Sequence, residues 1–181
     1  MSFEFIRLSS FRNLEDADII IDADRVFLIG ENGQGKTNFL EAIYYLSYGN
    51  SFRGSVDGEV ARRGSLSFSL FGRSNVHASG GMPLDEIRLS WEGKVKEIQR
   101  NGKIVRDRKE LIELNPSIVF CHEDYSFAAG EPERRRFFFD QSMGLVSTGY
   151  IDLLRDYKRI LKQRNIALKD CLLYTSPSPR D

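Results

Sequence analysis

The chain has 181 residues, of which 41% are hydrophobic and 29% charged, and its 26 basic and 26 acidic side chains cancel to a formal net charge of zero. That length holds one sizeable domain, or one domain and the start of another, and the neutral balance excludes a bulk polycation, so any grip on nucleic acid must come from a local basic face. No apolar run reaches the length of a membrane span, MSFEFIRLSS has no signal-peptide layout, and two cysteines, Cys121 and Cys171, make neither a disulfide framework nor a metal site, which predicts a reducing cytoplasm.

Residues 3–8 alternate enough to predict a strand, and residues 18–22 (DIIID) predict a second, with the polar turn SSFRNLED between them. Residues 26–29 (VFLI) predict a third, buried strand. It feeds the most informative stretch of the chain. Gly30, Glu31, Asn32, Gly33, Gln34, Gly35, Lys36 and Thr37 spell G-x-x-x-x-G-K-[ST]. Asn38 follows, and then a helix over 37–46 with Phe39, Leu40, Ile43 and Leu46 at helical spacing. Gly49 is the expected C-terminal cap.

The chemistry explains the spelling. Glycines bring bare N–H groups close to phosphate oxygens, and the helix that follows aims the positive end of its dipole at the same anion. Lys36 supplies a mobile charge for the outer phosphates, and the Thr37 hydroxyl is placed to ligate Mg²⁺. A glycine-rich turn before an ordinary helix is the bland alternative, and it does not account for every fixed position with both flanks in register. The stretch predicts a nucleoside-triphosphate site with Thr37 as its metal ligand.

GNSFRGS is then a loop. Arg12-Asn13 and Phe52-Arg53 lie on segments able to reach the nucleotide or a partner subunit, although spacing alone favours plain surface solvation for them. Residues 56–63 predict a short helix. From residue 66 the period changes to two. SLSFSLFGR, EIRLSWEG and KVKEIQRNGKIV predict an antiparallel subsheet, with Asn101-Gly102 a two-residue hairpin turn. Residues 77–85 read as an insertion-tolerant loop. Residues 108–114 return to helical spacing and stop at Pro116, and residues 118–121 predict a short buried strand.

In HEDYSFAAGEPERRRFFFD, Pro132 opens a helix that carries Arg134, Arg135 and Arg136. A long helix over 148–170 follows. Its stripe of Tyr150, Leu154, Tyr157, Leu161 and Leu168 needs a partner helix. The opposite face holds Arg155, Lys158, Arg159, Lys162 and Arg164 against few acids. Residues 171–181 break the pattern with Ser/Pro alternation and read as a non-native tail. The expected division is 1–130 for a phosphate-loop head, 131–170 for the start of a helical domain, and 171–181 for the tail.

A phosphate-loop enzyme also needs an acidic residue at the end of an apolar strand. Residues 137–140 (FFFD) imitate that arrangement, but the run follows three arginines and a helix opening, so Asp140 is set aside as a metal-side residue. No catalytic residue is assigned. A lone His122 beside Cys121 is more often incidental than a ligand.

The motifs LSSFRNLEDADI, GENGQGKTNFLEAIYYLSYGNSFR, HEDYSFAAGEPERRRFFFD and RILKQRNIALK resemble the RecF family of bacterial DNA-repair ATPases, relatives of the structural-maintenance-of-chromosomes (SMC) ABC ATPases. The resemblance runs from Phe5 to about Lys169. It implies an α/β P-loop NTPase head of the ABC/SMC type (lobe I). That head has a mixed sheet around the loop, an antiparallel β subsheet and the start of a helical second domain.

It further implies ATP with Mg²⁺ sandwiched in an ATP-dependent homodimer that clamps DNA and supports recombinase loading at gaps or stalled forks. RecR and RecO would be partners, with a part in the SOS response. If the chain grips DNA as that family does, Arg155, Lys158, Arg159 and Lys162 are the candidate contacts. Arg12 and Asn13 fall where relatives line the nucleotide. The family's signature serine loop, acidic catalytic strand and switch histidine do not occur in this sequence, so the chain is expected to bind ATP without hydrolysing it efficiently. Cys121-His122 departs from the family pattern. Three alternatives remain open: a self-contained small NTP hydrolase or phosphotransferase using Asp140, another SMC-like head, and an interaction module that uses nucleotide only for stability.

Overall fold

A strand that alternates apolar and polar side chains has one face to bury, and the N-terminal part of the chain solves this by laying helices against one sheet. The computed structural model describes residues 2–75, 85–120 and 132–174, and divides into two units, Met1–Phe120 and Cys121–Asp181. In the first unit β1 (Ser2–Ser9), β2 (Ala17–Ile20), β3 (Ser67–Asn75), β4 (Asp85–Glu92), β5 (Val95–Arg100) and β6 (Lys103–Ile104) form a six-stranded sheet. Its order is β2-β1-β3-β4-β5-β6, and every pairing is antiparallel.

Register follows the pattern of side chains. Ile6, Leu8, Phe68, Leu70, Ile87, Leu89 and Ile98 point to one face and are buried. Against that face lies α1 (Lys36–Tyr48), which contributes Phe39, Ala42, Tyr45 and Leu46. Phe11, Tyr45 and Phe68 meet edge to face, with ring centroids 5.5 to 5.8 Å apart. Gly72 is required here, because a Cβ on it would stand 2.7 Å from Phe3 and 2.9 Å from Leu46. Burial raises the Tyr45 hydroxyl above its ordinary pKa, and the proton it keeps is donated to Asp57 at 2.6 Å. The hairpin at Asn101-Gly102 forms as expected, with positive φ at both residues (49° and 76°). Two short helices, α2 (Asp57–Val60) and α3 (Lys109–Leu114), complete the unit.

Several expectations are corrected. Residues 26–29 are not a buried strand: they pair with no strand among the described residues, and Phe27 and Ile29 are 81% and 94% exposed. The same holds for 118–120, where Ile118 and Phe120 are 82% and 91% exposed. An apolar run becomes a strand only when a neighbour takes its backbone hydrogen bonds. The expected mixed sheet is accordingly antiparallel throughout among the described residues, and it takes in β1 and β2. β2 ends at Ile20, although the Ile21 N–H still donates to the carbonyl of Glu4 at 2.8 Å. The helix expected over 56–63 shrinks to four residues because Ala61 turns out to bridge Phe11.

In the second unit, α4 (Pro132–Val146) and α5 (Thr148–Tyr174) are joined through Ser147 and fold back on each other. The Tyr150 hydroxyl donates to Asp140 Oδ1 at 2.6 Å, which raises the phenol's pKa, and Gly144 faces Ile151. The stripe on α5 thus finds its partner helix at Tyr150, Leu154 and Leu161, which line the groove with α4. Further along, Leu168 remains 48% exposed. α5 extends at least to Tyr174, beyond the expected end at residue 170, since Cys171 to Tyr174 contain no helix breaker. Cys121, His122 and most of the loop 77–85 lie outside the described residues, as does the expected boundary at 130. Among the described residues no helix is long and apolar enough to cross a membrane.

Candidate nucleotide-binding site

Two glycines of the loop carry out the backbone work that their spelling implies. Gly33 and Gly35 hold φ of 86° and 99°, a left-handed conformation that L side chains rarely adopt. A Cβ on Gly35 would also collide with Leu14 at 2.6 Å and crowd Asn13 at 3.0 Å, whereas one on Gly33 would meet nothing within 4 Å. The loop is therefore closed beneath Gly35 and open above Gly33. α1 starts at Lys36 with no side-chain cap, so its first N–H groups are directed at any acceptor held by the loop.

Side chains brace this shape from below. The Glu31 N–H donates to Gln34 Oε1 at 2.9 Å. Lys36 Nζ lies over the loop and donates to the carbonyls of Gly30 and Glu31 at 2.7 and 2.6 Å. A three-donor ammonium on a flexible stem can exchange such carbonyls for phosphate oxygens. Asn13 Nδ2 donates to the Gly33 carbonyl at 2.8 Å, Asn38 Nδ2 donates to Asn13 Oδ1 at 2.6 Å, and Arg53 donates to Asn38 Oδ1 at 3.0 Å. Thr37, in the first turn of α1, is exposed. A loop of this form, with an ammonium over its carbonyls and a hydroxyl in the first turn of the helix, offers donors that phosphate oxygens can take.

Arg12 is spent differently from what its neighbours suggest. It stands at φ 51°, and its guanidinium forks onto Glu41 with Nε to Oε2 at 3.0 Å and Nη2 to Oε1 at 2.8 Å. The same group donates to Ser55 Oγ at 2.7 Å and to the Glu59 carbonyl at 2.9 Å. Asn13, in contrast, is exposed and touches the loop directly.

Sequence reasoning missed Glu41, whose side chain is fully buried and also accepts from Ser51 Oγ. The available signal was a lone carboxylate beside Leu40 and Ala42 in the middle of an apolar helix. The buried side of α1 is correspondingly shifted from the expected stripe: Leu40 is 47% exposed, whereas Tyr44, Tyr45 and Tyr48 are buried.

The four candidate DNA contacts, Arg155, Lys158, Arg159 and Lys162, are exposed on α5. Arg155 and Arg159 each pair with an aspartate three residues earlier, at 3.5 and 2.9 Å, which dilutes that face. Asp140, the imitation of an acidic strand end, sits on α4 and accepts from Tyr150. Among the described residues no group of three or more histidines, cysteines or carboxylates converges to hold a metal.

Comparison with known proteins places the chain in a family and a fold. A family profile described as "AAA domain" matches residues 6–168. The DNA replication and repair protein RecF of Treponema pallidum (strain Nichols) is 38% identical over 165 residues, which is 89% of this chain and 45% of that protein. RecF of Desulforamulus reducens is 39% identical over 173 residues, 94% of this chain and 44% of its own. The chain spans about half the length of the curated relatives it matches.

Among solved structures, the recombination mediator protein RecF-ATP in the RecFOR pathway superposes with a TM-score of 0.84 at 28% identity. It covers 97% of this chain and 47% of that one. The form described as RecF-ATPrS gives 0.82 at 27%. The resemblance carried by the motifs is borne out, and with it the α/β P-loop NTPase fold. The chain belongs to the AAA-domain family, with RecF proteins among its relatives in both sequence and fold.

Proposed function

We propose that this chain is the ATP-binding head of a cytoplasmic DNA replication and repair protein, in which bound nucleotide drives assembly of two heads and their grip on DNA. The observation that carries the reading is the loop itself. Left-handed glycines, an uncapped helix start and a lysine seated on the loop's own carbonyls bring together the donors that a phosphate would take.

In the proposed cycle the N–H groups from Gly33 to Asn38 receive the phosphates. Lys36 leaves the carbonyls of Gly30 and Glu31 for the outer oxygens, and Glu31, Asn32 and Gln34 frame the loop's outer wall. Mg²⁺, when bound, neutralises charge on those oxygens, and Thr37 is the residue of this chain to hold it. Asn13 and Arg12 border the site from the β1–β2 turn. Efficient hydrolysis is expected to need carboxylates other than those of this chain.

DNA would be met by phosphate contacts from Arg155, Lys158, Arg159 and Lys162, without sequence preference. Loading of recombinase at gaps, in concert with RecR and RecO, is the activity that the resemblance implies for the whole protein; the names of its relatives support the broader role in DNA replication and repair.

Calorimetry with magnesium-ATP on the folded chain is the direct test: uptake is expected in the unaltered chain and its loss in Lys36→Ala. No uptake by a well-folded sample would sink the reading. Titration with double-stranded and gapped DNA at increasing salt then separates a phosphate grip, which weakens steeply, from salt-independent binding, which contradicts it.

A further inference from the structure

Glu41 is a fully buried carboxylate in the middle of α1, five residues beyond Lys36. Its Oε1 accepts from Arg12 Nη2 and Ser51 Oγ, and its Oε2 accepts from Arg12 Nε and lies 3.6 Å from Arg53 Nη1. A buried ion of this kind is poor evidence of stabilisation for its own sake, because an apolar side chain of similar volume commonly does as well. Its geometry accounts for it better.

Two paths leave the carboxylate and meet again. One runs through Arg12, held at φ 51°, to the adjacent Asn13, whose amide grips the Gly33 carbonyl. The other runs through Arg53 to Asn38 Oδ1, and Asn38 in turn donates to Asn13. Both paths end on the floor of the phosphate loop, and neither arginine is otherwise fixed to it. Ser51 and Ser55 tie the segment after α1 to the same point.

We propose that Glu41 is a positioning residue for the phosphate loop. By fixing Arg12 and Arg53 from inside the fold it sets Asn13 and Asn38, and through them the orientation of the Gly33 peptide toward a bound triphosphate. This rests on the reading of the loop as a nucleotide site. A purely structural ion pair would lower the melting temperature when broken but leave the folded protein's affinity for nucleotide untouched.

The test is magnesium-ATP calorimetry on the intact chain, with thermal melts alongside, for Glu41→Gln, Asn13→Ala and the double variant. Folded Glu41→Gln is expected to bind about tenfold more weakly or worse, the loss that follows when one charge-assisted hydrogen bond is removed. Asn13→Ala is expected to add little in that background, because both changes act on the same peptide. Affinity within about twofold of the unaltered chain, or strictly additive effects, overturns the proposal.

If Glu41→Gln does not fold, Arg12→Lys replaces it. That change keeps the charge and loses the fork on a partly exposed side chain, and it is judged by the same two outcomes. Absence of uptake by the unaltered, folded chain overturns the loop reading and this inference together. Uptake that Glu41→Gln leaves unchanged overturns the inference alone.

Discussion

The phosphate loop is flanked by two apolar segments with opposite fates. Residues 26–29 before it are apolar at every position and exposed, whereas α1 after it buries eight of its thirteen residues. Hydrophobicity does not distinguish them. The helix brings its own backbone hydrogen bonds and needs only a surface to lie on, which β3 and β4 provide through Phe68, Leu70, Ile87 and Leu89. An extended segment must borrow its hydrogen bonds from a neighbour, and residues 26–29 have none among the described residues. Apolar content states a demand for burial, and the rest of the fold decides whether the demand is met.

The sharpest way to break this comparison is to remove equivalent apolar bulk from both flanks. Leu46→Ala is expected to cost about 2–5 kcal/mol in urea unfolding, and Phe27→Ser less than about 0.5 kcal/mol. Equal costs would mean that residues 26–29 are packed after all. Gly72→Ala should come next, at about 1–3 kcal/mol, since the added methyl has to displace Phe3 and Leu46 from the interface that buries α1.

Hydrogen exchange sharpens the contrast without mutation. Amides of residues 26–29 should exchange almost as fast as in an unfolded chain, and those of Ala42 to Leu46 only through global opening. Comparable protection at the two places would refute it.

The smallest effect concerns acid. The Ser10 N–H, helped by Ser9 and Arg62, holds the Asp16 carboxyl below its usual range, and Arg7 does the same for Asp18. Carboxylates with depressed folded pKa values stabilise the protein above the ordinary carboxylate range. That contribution is lost as pH falls through their folded values. Asp16→Asn should therefore flatten the acid side of a melting-temperature profile slightly, because both groups are exposed and screened. An unchanged slope would count against these pairings.

Much of the scaffold was legible. The glycine spacing gave the loop, Asn101-Gly102 gave the hairpin, and the two-residue period gave β3, β4 and β5, because each is a local preference written in adjacent residues. What escaped was non-local. Residues 26–29 and 118–120 look like strands in isolation, and only the sheet order reveals that no ladder takes them in. Arg12 looked like a surface cation beside Asn13, because nothing in its neighbourhood announces Glu41 twenty-nine positions later. Glu41 itself hid among apolar neighbours, since helical periodicity marks where a face lies and not what a charge on that face will meet. The long helix was visible throughout, and it runs on past the end of its stripe to Tyr174 because no proline or glycine interrupts residues 150–174.

α1 is indexed at both tips. Gly35 sits tight under Leu14 and Asn13, and Gly49, left-handed at φ 68°, sits tight under Ile98 and Arg108. Adding or deleting one residue between them would swing everything downstream by about 100° around the axis, taking Glu41 from its arginines or Gly49 from its seat. This stretch should therefore accept many exchanges of side chain across descendants of the sequence and almost no change of length, with gaps and insertions accumulating elsewhere.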